Sequence, residues 1–443
     1  MNWKPDRKDF LFIGTIVLVH ILFFLMALSF KRIYMGDSFE YVYEALNIKN
    51  HLFFYSGNAA LPIEPEYMTQ RQPGYPLFLL AVYLFTVNNW VVIVFQNLLS
   101  VLNICYCRSV LLKTGYSKKY DWLLLLLIVA YPAQFINANT IAPDILLQTA
   151  TLLYLGCFIG LFQSRTPRFA WSMSFALVGG LMVKPVLYPF VFVHLIIIGA
   201  FFYKEYGRQV IAAAALPLCV VLLYNGWNEA RTGKFHFSSN QSFNAIYYFY
   251  SYIDKKQGAD SAQKFLRKER GDLALLPAYK DRYDHANGRG TELLRQNFCS
   301  YMVFHMQNSA RIFIEPGKGE MDLFTGRLTY GGLYSGAQTG FYATLKKKGW
   351  GGIGEFVGKN PSMPIILVVL LFNCLRLCGL LAFFFSGNVH LGIRLFIFML
   401  LCYFAVAAGP IANTRYFLPV SLIAIGCSAM GYMGVLEKRK LNQ

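Results

Sequence analysis

The chain of 443 residues is 56% hydrophobic and only 14% charged, and its mean hydropathy is +0.41. These values lie outside the usual range of soluble domains and predict a polytopic membrane protein. The formal charge of +18 does not indicate a nucleic-acid-binding protein, because the basic residues fall largely in short loops between apolar segments and in one long polar insert, where they signal membrane orientation.

Ten apolar segments of approximately spanning length follow one another along the chain. They cover residues 10–30, 90–112, 122–137, 143–162, 169–183, 186–203, 209–227, 363–385, 393–409 and 416–434. The first is predicted to be an uncleaved signal anchor, since basic residues precede it and no small-residue cleavage site follows. Ten crossings place both termini in the cytoplasm, because the short loops on that side then carry the lysines and arginines.

The apolar stretch 75–87 is too short to span, so we predict a helix lying in the outer interface. Counting it as an eleventh span would invert every later loop and place the lysine-rich loop after the second span outside. Two polar regions then lie on the outer face. The predicted organisation is a transmembrane module at 1–227 with an outer loop at 31–74, an outer-face domain at 228–361, and C-terminal transmembrane helices at 362–443.

Asp37 begins the sequence Asp-Ser-Phe-Glu-Tyr directly after the first span, and apolar residues follow it at helical spacing. One interpretation is an N-cap, with Glu40 three residues later completing a capping box. The other is that Asp37 accepts a proton from a hydroxyl nucleophile at the membrane surface. The two interpretations are compatible, since a capped helix would fix the position of the carboxylate.

Two further ionisable residues begin apolar segments. Arg71 opens the motif Arg-Gln-Pro-Gly-Tyr-Pro, in which two prolines and a glycine fix the backbone direction. It is either an arginine that snorkels to water or one aimed at a phosphate or a site carboxylate. Asp144 begins the fourth span, where it either complements the helix dipole or serves as a second acid that orients a ligand hydroxyl or holds Arg71.

Lys184 separates two apolar spans with almost no loop between them. Ionisable residues at membrane depth are costly and usually functional, although an interfacial lysine can also snorkel. Arg415 lies at the outer start of the last span, where Asn413 or Thr414 can cap the helix. A cation at a helix N-terminus is unfavourable without an anionic partner, and a lipid phosphate would be such a partner.

In this order, the motifs resemble those of the GT-C membrane glycosyltransferases, in particular the branch similar to protein O-mannosyltransferases and aminoarabinose transferases. The residues that carry the likeness are Asp37 to Tyr41, Arg71 to Pro76, Asp144, Lys184 with Pro185, and Arg415 to Pro419. The resemblance implies a GT-C fold with about 10–11 transmembrane helices, interfacial helices in the first outer loop and a large outer-face insert. One departure is that several relatives have two adjacent acids after the first span, whereas here Ser38 follows Asp37; whether Glu40 or Asp144 substitutes stays open.

The implied activity is an inverting transfer of a sugar from a polyprenyl-phosphate carrier to an acceptor hydroxyl. Asp37 is then expected to be the base, and Lys184, Arg415 and Arg71 to bind the donor phosphate, with Arg71 and Asp144 shaping the donor pocket. The other expected substrate-binding residues are Glu40, Tyr41, Tyr75 and Tyr416. The implied partners are the lipid-linked sugar, an acceptor glycolipid, glycan or protein, and membrane lipids, at the periplasmic face of a bacterial inner membrane.

The sequence contains no Walker A motif, no GxGxxG after a strand, no D-x-D pair and no HExxH or GxSxG motif. No cofactor and no metal site is therefore expected, with a divalent cation left open. The alternative functions are a ligase or polymerase that uses a diphosphate-linked oligosaccharide, a transporter or flippase of lipid-linked sugars, and a non-catalytic protein of the same fold. Charges gathered at one face, and the lack of an internal repeat, argue against a transporter.

Overall fold

The computed structural model describes residues 6–327, 349, 351–387, 389–409 and 411–441. These residues form helices, short 3-10 turns and loops, and no β-strand occurs among them. The predicted all-α class is therefore confirmed. In chain order the helices are α1 (Arg7–Phe30), α2 (Ser38–His51), α3 (Gly74–Tyr83), α4 (Asn89–Lys113), α5 (Asp121–Val129), α6 (Pro132–Ala138), α7 (Asp144–Ser164), α8 (Pro167–Val183), α9 (Phe190–Tyr206), α10 (Arg208–Thr232), α11 (Asn240–Gln257), α12 (Ala259–Ala274), α13 (Tyr279–Arg311), α14 (Lys318–Phe324), α15 (Gly352–Lys359), α16 (Met363–Phe385), α17 (Leu391–Ala408) and α18 (Thr414–Leu441).

Seven helices of the described ranges are long and apolar enough to cross a membrane, and the bent pair α5 and α6 raises the number to eight if it forms one span. The seven are α1, α4, α7, α10, α16, α17 and α18. In α18, 89% of the spanning window is buried, against 22% in α1. Helix α18 is therefore central, and it packs against α16, α7, α17 and α5. The fold is that of a polytopic helical membrane protein.

We expected ten to eleven spans, which is more than the seven or eight in the structure, and three segments account for the difference. The segment 122–137 is broken into α5 and α6 with a bend of 66°, because Pro132 has no backbone N–H to continue the helix. Helix α8 has only 17 residues. Helix α9 also has 17 residues, so α8 and α9 both lie at the lower limit of spanning length.

The stretch predicted to lie in the interface forms α3, which has ten residues. A helix of that length is too short to cross the hydrocarbon core. It packs on α2, the other helix of the first polar loop. The eleventh span that we rejected on charge grounds is therefore absent at this position, while the interfacial placement of α3 stays a prediction.

The polar insert contains α11 to α15, and its residues 328–348 lie outside the described ranges. Helices α11 and α13 pack through stacked aromatic rings, with the Phe249 and Tyr301 centroids 4.8 Å apart. The insert also contacts the first loop, since the Ser239 hydroxyl donates to the Glu66 carbonyl at 2.9 Å. The two polar regions thus lie at the same end of the helix bundle. The division of the chain at 227 and 361 stays a prediction.

The opposite end of the bundle carries the start of α1, the end of α4 and the start of α5. Arg108 of α4 forms ion pairs there with Asp9 of α1 and Asp121 of α5, at 2.8 and 2.6 Å. Lys118 adds a bond to Asp9 at 2.8 Å. These pairs fix the alternation of helix directions, so that the C-terminal end of α1 lies beside the N-terminal ends of α7 and α18.

Candidate functional site

Backbone contacts between two loops bring the start of α2 to the start of α7. The Ser38 hydroxyl donates to the Ile141 carbonyl at 2.6 Å. The Ile141 N–H in turn donates to the Ile33 carbonyl at 2.8 Å. Because Ser38 is buried in this contact, it anchors the loop that precedes α2. Asp37 and Asp144, the neighbouring acids, are consequently held near each other.

Arg415, in the first turn of α18, binds both of these acids. Its Nη1 and Nη2 atoms donate to the two carboxylate oxygens of Asp37 at 3.0 and 2.8 Å. Its Nε atom donates to Asp144 Oδ2 at 2.6 Å. A planar guanidinium is suited to such two-point binding, which lysine cannot reproduce. One side chain therefore links the starts of α2, α7 and α18.

Lys184 completes the pairing of Asp144. It follows α8 in an extended conformation, as a residue before a proline requires, and its Nζ atom donates to Asp144 Oδ1 at 2.7 Å. Burial lowers the pKa of Lys184, while the Asp144 carboxylate opposes that shift. The ammonium also lies 4.9 Å from the centre of the Tyr416 ring. Asp144 is fully buried, and a cation at each oxygen compensates its desolvation.

Arg71 forms the other edge of the cluster. It donates from Nε and Nη2 to Glu40 Oε2 at 2.5 Å, and its Nη1 atom lies 3.8 Å from Asp37 Oδ2. Its guanidinium lies 5.0 Å from the centre of the Tyr41 ring. Behind Tyr41 lies Tyr75, whose buried hydroxyl donates to Gln96. Of the predicted aromatic residues, Tyr41 and Tyr416 thus contact the charged groups, whereas Tyr75 is separated from them by Tyr41.

The cluster contains three carboxylates and three cations, which are Asp37, Glu40, Asp144, Arg71, Lys184 and Arg415. Burial alone would raise the pKa of Asp37, but the guanidiniums of Arg415 and Arg71 outweigh it and hold that pKa below its usual value. Side-chain exposure rises from 0% at Asp144 to 16% at Asp37 and 24% at Glu40. The cluster is closed on the side of Asp144 and open on the side of Asp37, where a ligand can reach it.

Three expected side-chain pairings are wrong. Asp37 occupies the N-cap position of α2, but its side chain makes no capping hydrogen bond, because both of its oxygens are bound by Arg415. Glu40 is bound by Arg71 instead of completing a capping box. Asp144, moreover, binds Arg415 and Lys184 and not Arg71. For Asp37 and Glu40, a distant arginine replaces the local backbone partner that the sequence suggested.

Glu320 of α14 belongs to this region and was not predicted. Its Oε1 atom accepts from the Thr414 hydroxyl at 2.6 Å and from the Arg415 N–H at 3.3 Å. The same N–H donates to Asn413 Oδ1 at 2.8 Å, so Asn413 caps α18 as expected. Burial raises the pKa of Glu320. No sequence motif surrounds Glu320, and only its contact with the start of α18 reveals that the insert helps to position Arg415.

A separate group of metal-type ligands occurs in the insert. Glu269 and Asp272 of α12 and His285 of α13 offer ligand atoms within 4.8 Å of one another in the described part of the chain. One Glu269 oxygen already accepts from Arg289 at 2.9 Å. A cation there would have to compete with that guanidinium. This group belongs to other elements than the six-charge cluster.

No protein-family model matches the chain, and no curated protein matches its sequence. The chemical character of the cluster is defined by its own atoms. It offers a partly exposed carboxylate in direct contact with a guanidinium, and a second guanidinium and an ammonium within the same network. Such an arrangement can bind an anionic group and accept a proton beside it.

Proposed function

We propose that this membrane protein is a glycosyltransferase of the GT-C type, which moves a sugar from a polyprenyl-phosphate carrier to an acceptor hydroxyl with inversion at the anomeric carbon. The observation that carries the proposal is the two-point contact of Arg415 with Asp37. In this contact the proposed base lies directly against a cation that a leaving phosphate would need. The order of the motifs along the chain, and the apolar helices that surround the cluster, support the same function.

The leaving group sets the demand for cations. When the bond between the anomeric carbon and the phosphate oxygen breaks, the bonding electron pair stays on the phosphate, and negative charge grows there. Fixed cations in a water-poor site stabilise that charge without reorganisation. Arg415 and Lys184 meet this requirement, since both are held against the buried Asp144. The donor phosphate would bind them from the open side of the cluster.

The base must first be released. With both oxygens bound by Arg415, the carboxylate of Asp37 has a lowered pKa and is a weak proton acceptor. A donor phosphate competes for the same guanidinium N–H groups, and Asp37 then loses two of its charge-assisted hydrogen bonds. Its pKa rises as a result. The acceptor hydroxyl attacks the anomeric carbon opposite the phosphate, and its proton passes to Asp37.

The distribution of basic loops supports an outer, periplasmic position of the cluster in a bacterial inner membrane. The cluster, the first loop and the insert share one end of the bundle, and the end that holds Arg108 and Lys118 is the other. Loops rich in lysine and arginine favour the cytoplasm. The residues that contact the carrier would then lie on the side where lipid-linked sugars are used.

The proposal is tested by mass spectrometry of the lipids that co-purify with the protein in mild detergent. We expect a polyprenyl phosphate, bare or bearing a sugar, with the wild-type protein. Arg415→Lys keeps the charge but loses the two-point geometry, so the lipid should be depleted in that variant. Arg108→Lys is the matched control, since Arg108 also lies between two carboxylates. Absence of the lipid from the wild type, or equal retention by Arg415→Lys, would contradict the proposal.

A further inference from the structure

Three side chains of the polar insert form a group that is separate from the six-charge cluster. Glu269 and Asp272 lie on α12 and His285 lies on α13, and the ligand atoms that they offer all lie within 4.8 Å of one another. Glu269 and Asp272 are three residues apart, so they share one face of α12. The three side chains thus converge from two helices.

Glu269 is the buried member of this group, and its carboxylate is incompletely bonded. The residue is 1% exposed. Its Oε1 atom accepts from Arg289 Nε at 2.9 Å, but its Oε2 atom is buried and has no hydrogen-bond partner among the described residues. A buried carboxylate oxygen without a partner is costly. The carboxylate therefore has one oxygen held by the protein and one left for a ligand.

The charges around this carboxylate select a cation as the ligand. Glu269, Asp272 and the neighbouring Glu292 supply three carboxylates. In the described part of the chain they share one paired cation, Arg289, which donates to Glu292 Oε2 at 2.7 Å as well as to Glu269. The basic residues on either side of Glu269 in the sequence are exposed and lie on other sides of the helix. Arg289 competes with a bound cation for Oε1 only, and Oε2 is left for it.

The mixed ligand set indicates the kind of cation. An imidazole nitrogen with two carboxylate oxygens is a set that Zn²⁺ binds, whereas Ca²⁺ and Mg²⁺ prefer oxygen ligands alone. At the usual Zn²⁺ bond lengths, two ligand atoms of a tetrahedral site lie about 3.4 Å apart. Asp272 is partly buried and His285 is exposed, so small rotations of these two side chains can close the remaining distance.

We propose that Glu269, Asp272 and His285 bind one Zn²⁺ ion, which joins α12 to α13. Three protein ligands leave the fourth position of the ion to water. Arg289 is a positioning residue, because its hydrogen bond to Oε1 fixes the carboxylate whose Oε2 atom faces no other partner. Hydrogen-bonded partners of this kind are usual behind metal ligands.

Zn²⁺ at this site stabilises the insert. Helix α13 carries Arg282, which pairs with Glu64 of the first loop at 3.0 Å, and the ion ties α12 to this helix. A ligand that binds only the folded protein raises its stability. The metal site does not depend on the proposed glycosyltransferase function, because its residues and those of the six-charge cluster belong to different elements.

The test is zinc binding by the full-length protein, purified in mild detergent with a tag that contains no histidine and then stripped of metal with a chelator. Calorimetric titration with ZnCl₂ should show one saturable site per chain. Glu269→Gln and His285→Asn should each weaken the binding by at least about tenfold. The matched controls are Glu292→Gln, an acid that contacts Arg289 outside the group, and His51→Asn, an exposed histidine of α2. Both should bind Zn²⁺ within about threefold of the wild type.

Thermal unfolding gives a second readout. Zn²⁺ should raise the unfolding temperature of the wild type by at least about 2 °C and leave that of His285→Asn unchanged. Because His285 is exposed, this variant tests the site even if Glu269→Gln fails to fold. The site would be overturned by the absence of saturable Zn²⁺ binding in the wild type, by equal affinity for Zn²⁺ and Mg²⁺, or by a His285→Asn variant that binds as tightly as the controls.

Discussion

The two ends of the helix bundle each hold one arginine between two carboxylates. At one end Arg415 binds Asp37 and Asp144. At the other Arg108 binds Asp9 and Asp121, and its guanidinium lies 4.8 Å from the centre of the Phe12 ring. In both places the guanidinium joins helices that are distant in sequence. The two arrangements therefore share their local ion-pair chemistry.

They differ in access from outside. The side chains of Arg108, Asp9 and Asp121 are at most 9% exposed, and the more exposed Lys118, at 32%, contacts these three groups only through Asp9. At the other end Asp37 and Arg71 are 16% and 17% exposed. A closed ion cluster can only hold helices together, whereas an open one can exchange a partner for a ligand. The comparison shows why similar ion pairs can stabilise the fold at one end and form the proposed site at the other.

The largest expected effect is a loss of transfer activity on substitution at the open end but not at the closed end. Asp37→Asn should lower the rate of sugar transfer by about 10²- to 10⁴-fold, the usual contribution of a general base, while the donor lipid is still bound and in larger amount than by the wild type. The measurement is transfer from a synthetic polyprenyl-phosphate sugar in detergent. Asp121→Asn is the control at the closed end, and its activity per folded molecule should equal that of the wild type. A fully active Asp37→Asn variant would exclude Asp37 as the base.

A substitution at the closed end should lower the stability of the protein and leave its activity unchanged. Arg108→Met leaves Asp9 and Asp121 buried with too few cations, and removal of one partner from such a pair typically costs about 3–5 kcal/mol. We expect a lower thermal unfolding temperature and unchanged transfer per folded molecule. If Arg108→Met unfolded at the wild-type temperature, or abolished transfer while folded, the assignment of a structural role to this end would be wrong.

Lys184 should matter for the rate. Lys184→Met removes one of the two cations assigned to the leaving phosphate, and loss of one such group costs on the order of 10²-fold in rate. The control is Lys118→Met, because Lys118 is the additional cation of the closed end. Single-turnover transfer measures both variants. Equal rates for the two would remove Lys184 from the proposed chemistry.

The last expected effect is a pH dependence of stability that originates in Glu44, a buried residue of α2. Its pKa is about 8 in the folded protein and about 4.3 in an unfolded chain. At pH values between these two pKa values, the folded protein binds more protons than the unfolded chain. The free energy of unfolding of the wild type therefore falls as the pH rises toward 8. The unfolding temperature of Glu44→Gln minus that of the wild type should grow from pH 5 to pH 8. A constant difference would contradict a buried neutral carboxyl.

The helices were largely predictable because each expected span is continuously apolar. The number of membrane spans was not predictable, because a break such as the one before Pro132 divides a segment that is apolar throughout. The common location of Asp37, Asp144, Lys184 and Arg415 followed from alternating helix direction. Their partners did not follow, because Arg415 and Asp37 lie 378 residues apart and only packing selects the contact. Periodicity carries no information on such pairings.

Glu320 and Glu44 illustrate the same limit. Glu320 lies in a short helix of the insert without any motif, so its contact with Thr414 is visible only in three dimensions. Glu44 follows Glu40 at helical spacing, but an acid on an amphipathic helix normally faces water. Its burial is visible only in the folded chain.

The central claim is that a donor phosphate replaces Asp37 on Arg415 and so frees the base. Mass spectrometry of the lipids bound to Asp37→Asn, beside wild type and Asp121→Asn, tests it most directly. Because the variant lacks the competing carboxylate and cannot complete transfer, we predict that it retains more sugar-bearing polyprenyl phosphate than either of the other two proteins. The same lipid content in all three, or no polyprenyl phosphate in any of them, would contradict the account.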